Sequence, residues 1–183
     1  MRILRGRSAR AVPAEVAAEL GLDRGERVLA WSTLAGGGAA VATLKRLLVR
    51  LPTGGVVSGS WTDVDHAAWE AGSSTVAVWW TGRRQPTALE VEDPSRLPEV
   101  IRERVQSSVL LSGTVTVPGG RQVRIALRRA EDGGVTTQAL APPGVRLTDP
   151  EVADTVERAL AALRAEAEVG GGGFGSLHDA DPA

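Results

Sequence analysis

Residues 25–110 are written as short β-rich segments separated by turns, followed by one amphipathic helix, and this order constrains the fold more than any other feature. Val28–Leu34 puts Leu29, Trp31 and Thr33 on one face and Val28, Ala30 and Ser32 on the other. Ala35-Gly36-Gly37-Gly38 turns the chain, residues 39–51 read as one long strand, and Pro52-Thr53-Gly54-Gly55 turns it again. Residues 56–61, a bend at Thr62-Asp63, and residues 66–70, 75–81 and 86–92 continue the pattern. Turns roughly every ten residues between β-branched segments predict antiparallel pairing. Asp93 then caps a helix over residues 95–110, with Pro94 in its first turn. Leu97, Ile101, Val105 and Val109 form its buried stripe, and Arg96, Glu99, Arg102, Glu103 and Gln106 its wet side.

The flanks complete the organisation. Residues 1–12 carry Arg2, Arg5, Arg7 and Arg10 without an acid, and residues 13–20 read as a short helix docking through Val16 and Leu20. Beyond the central helix, residues 114–117, 122–129 and 135–140 read as strands, with Gly119-Gly120 and Gly133-Gly134 as turns. Thr148-Asp149-Pro150-Glu151 opens a last helix whose stripe is Val152, Val156, Leu160 and Leu163. The glycine-rich residues 170–183 predict a disordered tail. The division expected is a basic arm and short helix (1–24), a sheet-and-helix domain (25–110), a strand–helix extension packed on the same domain (111–169), and the tail (170–183).

Composition excludes whole classes of chemistry. No cysteine is present among the 183 residues, so disulfides, thiol catalysis and thiolate metal sites are impossible. A net charge of −1 provides no global field for nucleic acid or anionic membranes. No apolar stretch approaches the ~20 residues a membrane helix needs, and the N-terminal residues lack the pattern of a signal peptide. A cytoplasmic location is the expectation.

Few residues suggest a site. Asp63, Asp65 and His66 could serve a metal or general-base chemistry, but in an extended strand the two acids share a face and His66 points away. Only a bulge brings them together, and a metal needs three or more convergent ligands. Turn hydrogen bonds and pairing with Arg102 or Arg104 are the preferred reading, and no catalytic residue, metal or cofactor is assigned. His178 is read as a solvated tail residue. Trp31, Trp61, Trp69, Trp79 and Trp80 are read as core or interface, not as a stacking platform; all but Trp31 and Trp79 have apolar neighbours on the same face. The glycine runs lack the spacing of a nucleotide-binding loop. Arg83-Arg84 and the alternating pair Arg124 and Arg128, expected to face solvent together, are the candidates for an anion or partner contact.

Three segments carry a resemblance. Gly25-Glu26-Arg27-Val28-Leu29, Thr43-Leu44-Lys45-Arg46-Leu47 and Trp61-Thr62-Asp63-Val64, followed by further strands and a helix, resemble bacterial pleckstrin-homology-like and GRAM-like domains over residues 25–110. The whole chain is similar to a family of actinobacterial proteins, through Val28-Leu29-Ala30-Trp31, residues 61–69 and Pro98-Glu99-Val100-Ile101-Arg102-Glu103-Arg104-Val105, a likeness that implies no particular activity. The resemblance implies an α+β fold: an antiparallel pleckstrin-homology-like, partly open barrel capped by a helix, with a C-terminal strand–helix extension. It also implies a binding or scaffold module whose partner is another protein, met at a strand edge or in a groove beside a helix. Phosphoinositide binding is not expected, because the loop that would hold the headgroup, Ala35-Gly36-Gly37-Gly38, bears no charge. The alternatives are an anion or nucleic-acid contact through the arginines, and an enzyme or metal site at Asp63, Asp65 and His66.

Overall fold

Residues 39–51 are two strands, not one, and a threonine side chain makes the difference. The computed structural model describes residues 11–92, 96–130 and 132–171. In it β1 (Val28–Leu34), β2 (Gly38–Thr43), β3 (Arg46–Arg50) and β4 (Val56–Ser60) form an antiparallel sheet in chain order. Between β2 and β3 the Thr43 hydroxyl accepts hydrogen bonds from the backbone N–H of Lys45 (3.1 Å) and Arg46 (2.9 Å). A side-chain oxygen closes this turn, so the sequence shows none of the usual Gly, Pro or Asn there.

A second antiparallel sheet follows, β5 (Val64–Glu70), β6 (Thr75–Trp80) and β7 (Thr87–Glu90). The two sheets remain distinct and close no barrel. They touch where Leu34 bridges Val91, where Ala35 N–H donates to Glu90 O (2.9 Å) and where Glu92 N–H donates to Thr33 O (3.2 Å). Helix α2 (Leu97–Ser108) lays Leu97, Val100, Ile101 and Val105 into the core shared with Leu47, Val49, Val76 and Leu89. The expected cap, Asp93 and Pro94, lies outside the described residues. The helix stops at Ser108, short of the expected Leu110, because Val109 pairs with Arg128 in the next sheet and Leu110 is the extra residue of a bulge. Tertiary pairing overrides the four-residue apolar spacing there.

Both faces of the first sheet are covered, which is why every residue of β2 is buried. The inner face joins the main core. The outer face, with Val41 and Leu48, packs on Leu20 and Val16 from the segment of α1 (Ala14–Glu19), with Trp31 beside them. Two arginines of β3 fasten that segment. Arg50 Nε lies 3.0 Å from Glu19 Oε2. Arg46 reaches Gly21 O (3.1 Å), Asp23 Oδ2 (3.0 Å) and both oxygens of Glu26, whose side chain is only 2% exposed.

The described residues divide into two compact units, the first ending at Ser108 and also taking in Ala130 and Asp132. The second unit is a sheet of β8 (Val109–Val117), β9 (Arg121–Arg129) and β10 (Val135–Leu140), in the order β10-β9-β8, with α3 (Pro150–Gly171) on one face. Asp149 Oδ1 accepts the Glu151 N–H (3.2 Å) just ahead of α3, and Pro150 occupies its first position, as the start signal requires. Val117, Val123, Ile125, Val152 and Val156 are its buried core. Of the expected tail, Gly170 and Gly171 belong to α3; the rest of it, including His178, and the arm of residues 1–10 lie outside the described residues. Among the described residues no helix is long and apolar enough to cross a membrane.

Two stability predictions follow from this packing. A Cβ at Gly59 would sit 2.8 Å from Trp80 Cζ3 and 3.0 Å from Asp63 Cβ. Gly59→Ala is therefore expected to destabilise the protein by ~1–3 kcal/mol through displacement of the indole, measured by urea unfolding. For Glu26, burial alone would raise the carboxyl pKa, but hydrogen bonds from Arg46 and Thr43 and the Arg46 charge outweigh it and hold the group below the ordinary carboxylate range. A depressed pKa adds stability above the unfolded value that is lost as pH falls through the folded one. Glu26→Gln should then cost ~1–3 kcal/mol near neutral pH, and the gap to wild type should narrow on acidification to about pH 3. A gap independent of pH would show that the carboxylate charge does not hold the clip.

Candidate functional site

The inner face of β5 is covered unevenly. Ala67 and Trp69 point inward, opposite Val78 and Val76 of β6. Val64 at the start of the strand is fully buried, yet Trp69 near its end is 46% exposed. β5 is an edge strand, with a sheet neighbour on one side only. α2 packs against β5 as well, and its Pro98, Glu99 and Arg102 share one side of the helix by their three- and four-residue spacing. Between these elements a groove of about 580 Å³ opens, walled by Trp69, Ala67, Val76, Val91 and Pro98. Glu92, Glu99 and Arg102 line it as well and are exposed. Glu99 is also 3.6 Å from Arg96, an exposed pair that solvent screens.

The sequence reading left Trp69 as core or interface, and the structure puts it outside the core, 46% exposed. Its apolar same-face neighbours are real, but the strand runs past the side chains that would cover it. That depends on sheet order and on the seat of α2, neither of which a strand's own periodicity encodes. Glu99 and Arg102 likewise read as nothing more than the wet side of a helix. Trp61 and Trp80 are core residues, 4% and 5% exposed, with indole N–H groups donating to Thr43 O (3.2 Å) and Thr87 Oγ1 (3.0 Å).

At the opposite end of β5 the structure assembles Asp65, His66 and Trp79. A register shift between Val64 and His66 makes Asp65 the extra residue of a bulge. His66 Nδ1 lies 2.8 Å from Asp65 Oδ2, and its ring stacks on Trp79 with centroids 4.3 Å apart and planes 10° from parallel. Asp63 does not join them. Its Oδ2 accepts both the backbone N–H and the hydroxyl of Ser60 (2.8 Å each), its carbonyl accepts Thr81 N–H (2.8 Å), and it thereby builds the corner between β4 and β5. Arg104, one of the two expected partners of these acids, donates its Nη2 to Leu44 O (2.9 Å). Among the described residues no group of three or more His, Cys, Asp or Glu side chains comes together to hold a metal ion.

The arginine candidates separate. Arg83 and Arg84 are exposed in the turn after β6, where Arg83 N–H donates to Trp80 O (3.1 Å). Arg124 is exposed in mid-β9. Arg128 is not: it is 1% exposed, and its Nη1 donates to Gln138 Oε1 (3.0 Å). The expected solvent-facing pair is therefore corrected to a single exposed Arg124. Alternation puts both on the same sheet face, as foreseen, but does not tell which part of that face is covered.

With this geometry in place, the chain was compared with known proteins: no protein-family model matches it, and no curated protein does.

Proposed function

We propose that the first unit is a pleckstrin-homology-like, non-catalytic binding module of the cytosol, and that it holds a segment of another protein in the groove between β5 and α2. The reading of the fold is supported by the order of elements, four antiparallel strands, three antiparallel strands and a helix, which follows the outline implied by the sequence resemblance. The reading of the function rests on one observation: Trp69, an inward-facing indole left 46% exposed in a groove with apolar walls and a charged rim, on an edge strand. Half-open tryptophans in concave apolar sites are the residues around which protein contacts concentrate their binding energy. An edge strand with a helix beside it accepts an extended segment through backbone hydrogen bonds, while the groove selects its side chains.

The test is selection of a random displayed-peptide library on the full chain. Wild type is expected to enrich a related set of sequences carrying a bulky apolar residue. Trp69→Ala should lose at least tenfold in affinity for them, about the 1.4 kcal/mol or more typical of a central aromatic contact. Because Trp69 is half exposed, the same variant should keep its urea midpoint near that of wild type. No enrichment, or an enriched set that binds Trp69→Ala equally well, would remove this reading.

A further inference from the structure

We infer that the second unit is half of a two-fold dimer, joined to a second copy of this chain along β8. Edge strands are ordinarily defended by charge, proline, a bulge or shortness. β5, the free edge described above, carries Asp65, His66 and Glu70 and a bulge. β8 is an edge strand of nine residues, Val-Leu-Leu-Ser-Gly-Thr-Val-Thr-Val, without one charged residue or proline. Its only irregularity is near its start, between Val109 and Leu111; residues 111–117 pair in unbroken register with β9. Ser112, Thr114 and Thr116 are exposed.

The occupant follows from what such an edge can accept. In a two-fold pair residue i meets residue j and j meets i, so at the axis a charge would face its like, and elsewhere it would need its opposite at the paired position. An uncharged run is self-complementary by default. Antiparallel pairing of two β8 strands makes one continuous sheet of six strands and sets the exposed threonines across from one another, where hydroxyl and methyl contacts are favourable.

The helix layer points the same way. α3 packs over β8 and β9 and so borders the β8 edge. Its stripe is buried at Val152 and Val156 and then continues through Leu160 and Leu163, which touch the core and stay partly open. A ladder about 24 Å long, flanked by a helix from each copy, buries on the order of 1,000 Å² in total, the lower bound of specific interfaces. The opposite edge, β10, is also free of charge but packs less against α3 than β8 and β9 do.

Sedimentation of the full chain over a range of concentrations tests this. A reversible dimer is expected. Thr114→Lys should weaken it at least tenfold, about 1.4 kcal/mol, and so should Thr114→Glu, while an equimolar mixture of the two should dimerise again. That recovery separates loss of contact from loss of folding. Thr136→Lys, on β10, should leave the dimer intact. A monomer at every concentration, a dimer indifferent to Thr114→Lys, a mixture that stays monomeric, or a dimer broken by Thr136→Lys would each overturn the inference.

Discussion

The first unit depends on one ion pair, a buried Glu26 carboxylate held by the partly exposed Arg46. Glu26 stands ahead of β1, Thr43 ends β2 and Arg46 begins β3, so its hydrogen bonds fix where three elements meet. Burying a carboxylate is costly unless every lone pair finds a donor. Here the guanidinium reaches both carboxylate oxygens and the threonine hydroxyl reaches one. The same threonine oxygen closes the β2–β3 turn, and the same guanidinium holds Gly21 O and Asp23 behind α1. Residues 39–51, which read as one strand, fold back at Leu44 because the Thr43 hydroxyl receives two turn amides while Glu26 holds that hydroxyl in place.

Folding back there has consequences further along. It makes β2 a central strand, buried on both faces, and brings Arg46, Leu48 and Arg50 to the outer face where the α1 segment is seated. It also sets the β4–β5 corner. Gly59 must lack a side chain so that Trp80 can lie against β4, and Asp63 spends its carboxylate on Ser60 to turn the chain. The corner gives the second sheet its own direction, with β5 at its edge. The groove lies where α2 meets β5 beside Trp69, which stays open although Val64 at the start of the same strand is buried. Site and corner are thus linked: the residues that suggest chemistry in the sequence, Asp63 above all, are used in making the geometry that leaves Trp69 open.

The α+β class, the antiparallel pairing, the glycine-marked turns and all three helices were legible from alternation, glycine spacing and start signals. Each depends on contacts within a few residues. What escaped depends on contacts distant in the chain. The β2–β3 turn is closed locally by the Thr43 hydroxyl, a weaker turn signal than Gly, Pro or Asn, and the carboxylate that holds that hydroxyl, Glu26, is distant in the chain. The end of α2 is decided by Val109 pairing with Arg128. Arg128 alternates correctly and is buried all the same. The candidate site escaped for the same reason: apolar neighbours leave a tryptophan readable as core or interface alike, and only the strand order shows Trp69 on an edge strand. The Asp65–His66 contact was legible as a condition, since a bulge was required, but the bulge is set by pairing with β6 and cannot be read from β5 alone.

The two units treat unpaired backbone differently, and this bears on how they are used. A free edge must either be defended or be satisfied, because its amides and carbonyls otherwise remain open to any chain that fits. In the first unit β7 is followed directly by the bridge to β1, and β5 is bulged and charged, so what β5 accepts is restricted by side chains at both ends of the strand. Selectivity of that kind suits a dissimilar partner. In the second unit β8 has no such filter along residues 111–117. An unfiltered edge is a hazard unless one partner is always at hand, and the partner present at every concentration of this chain is another copy of itself.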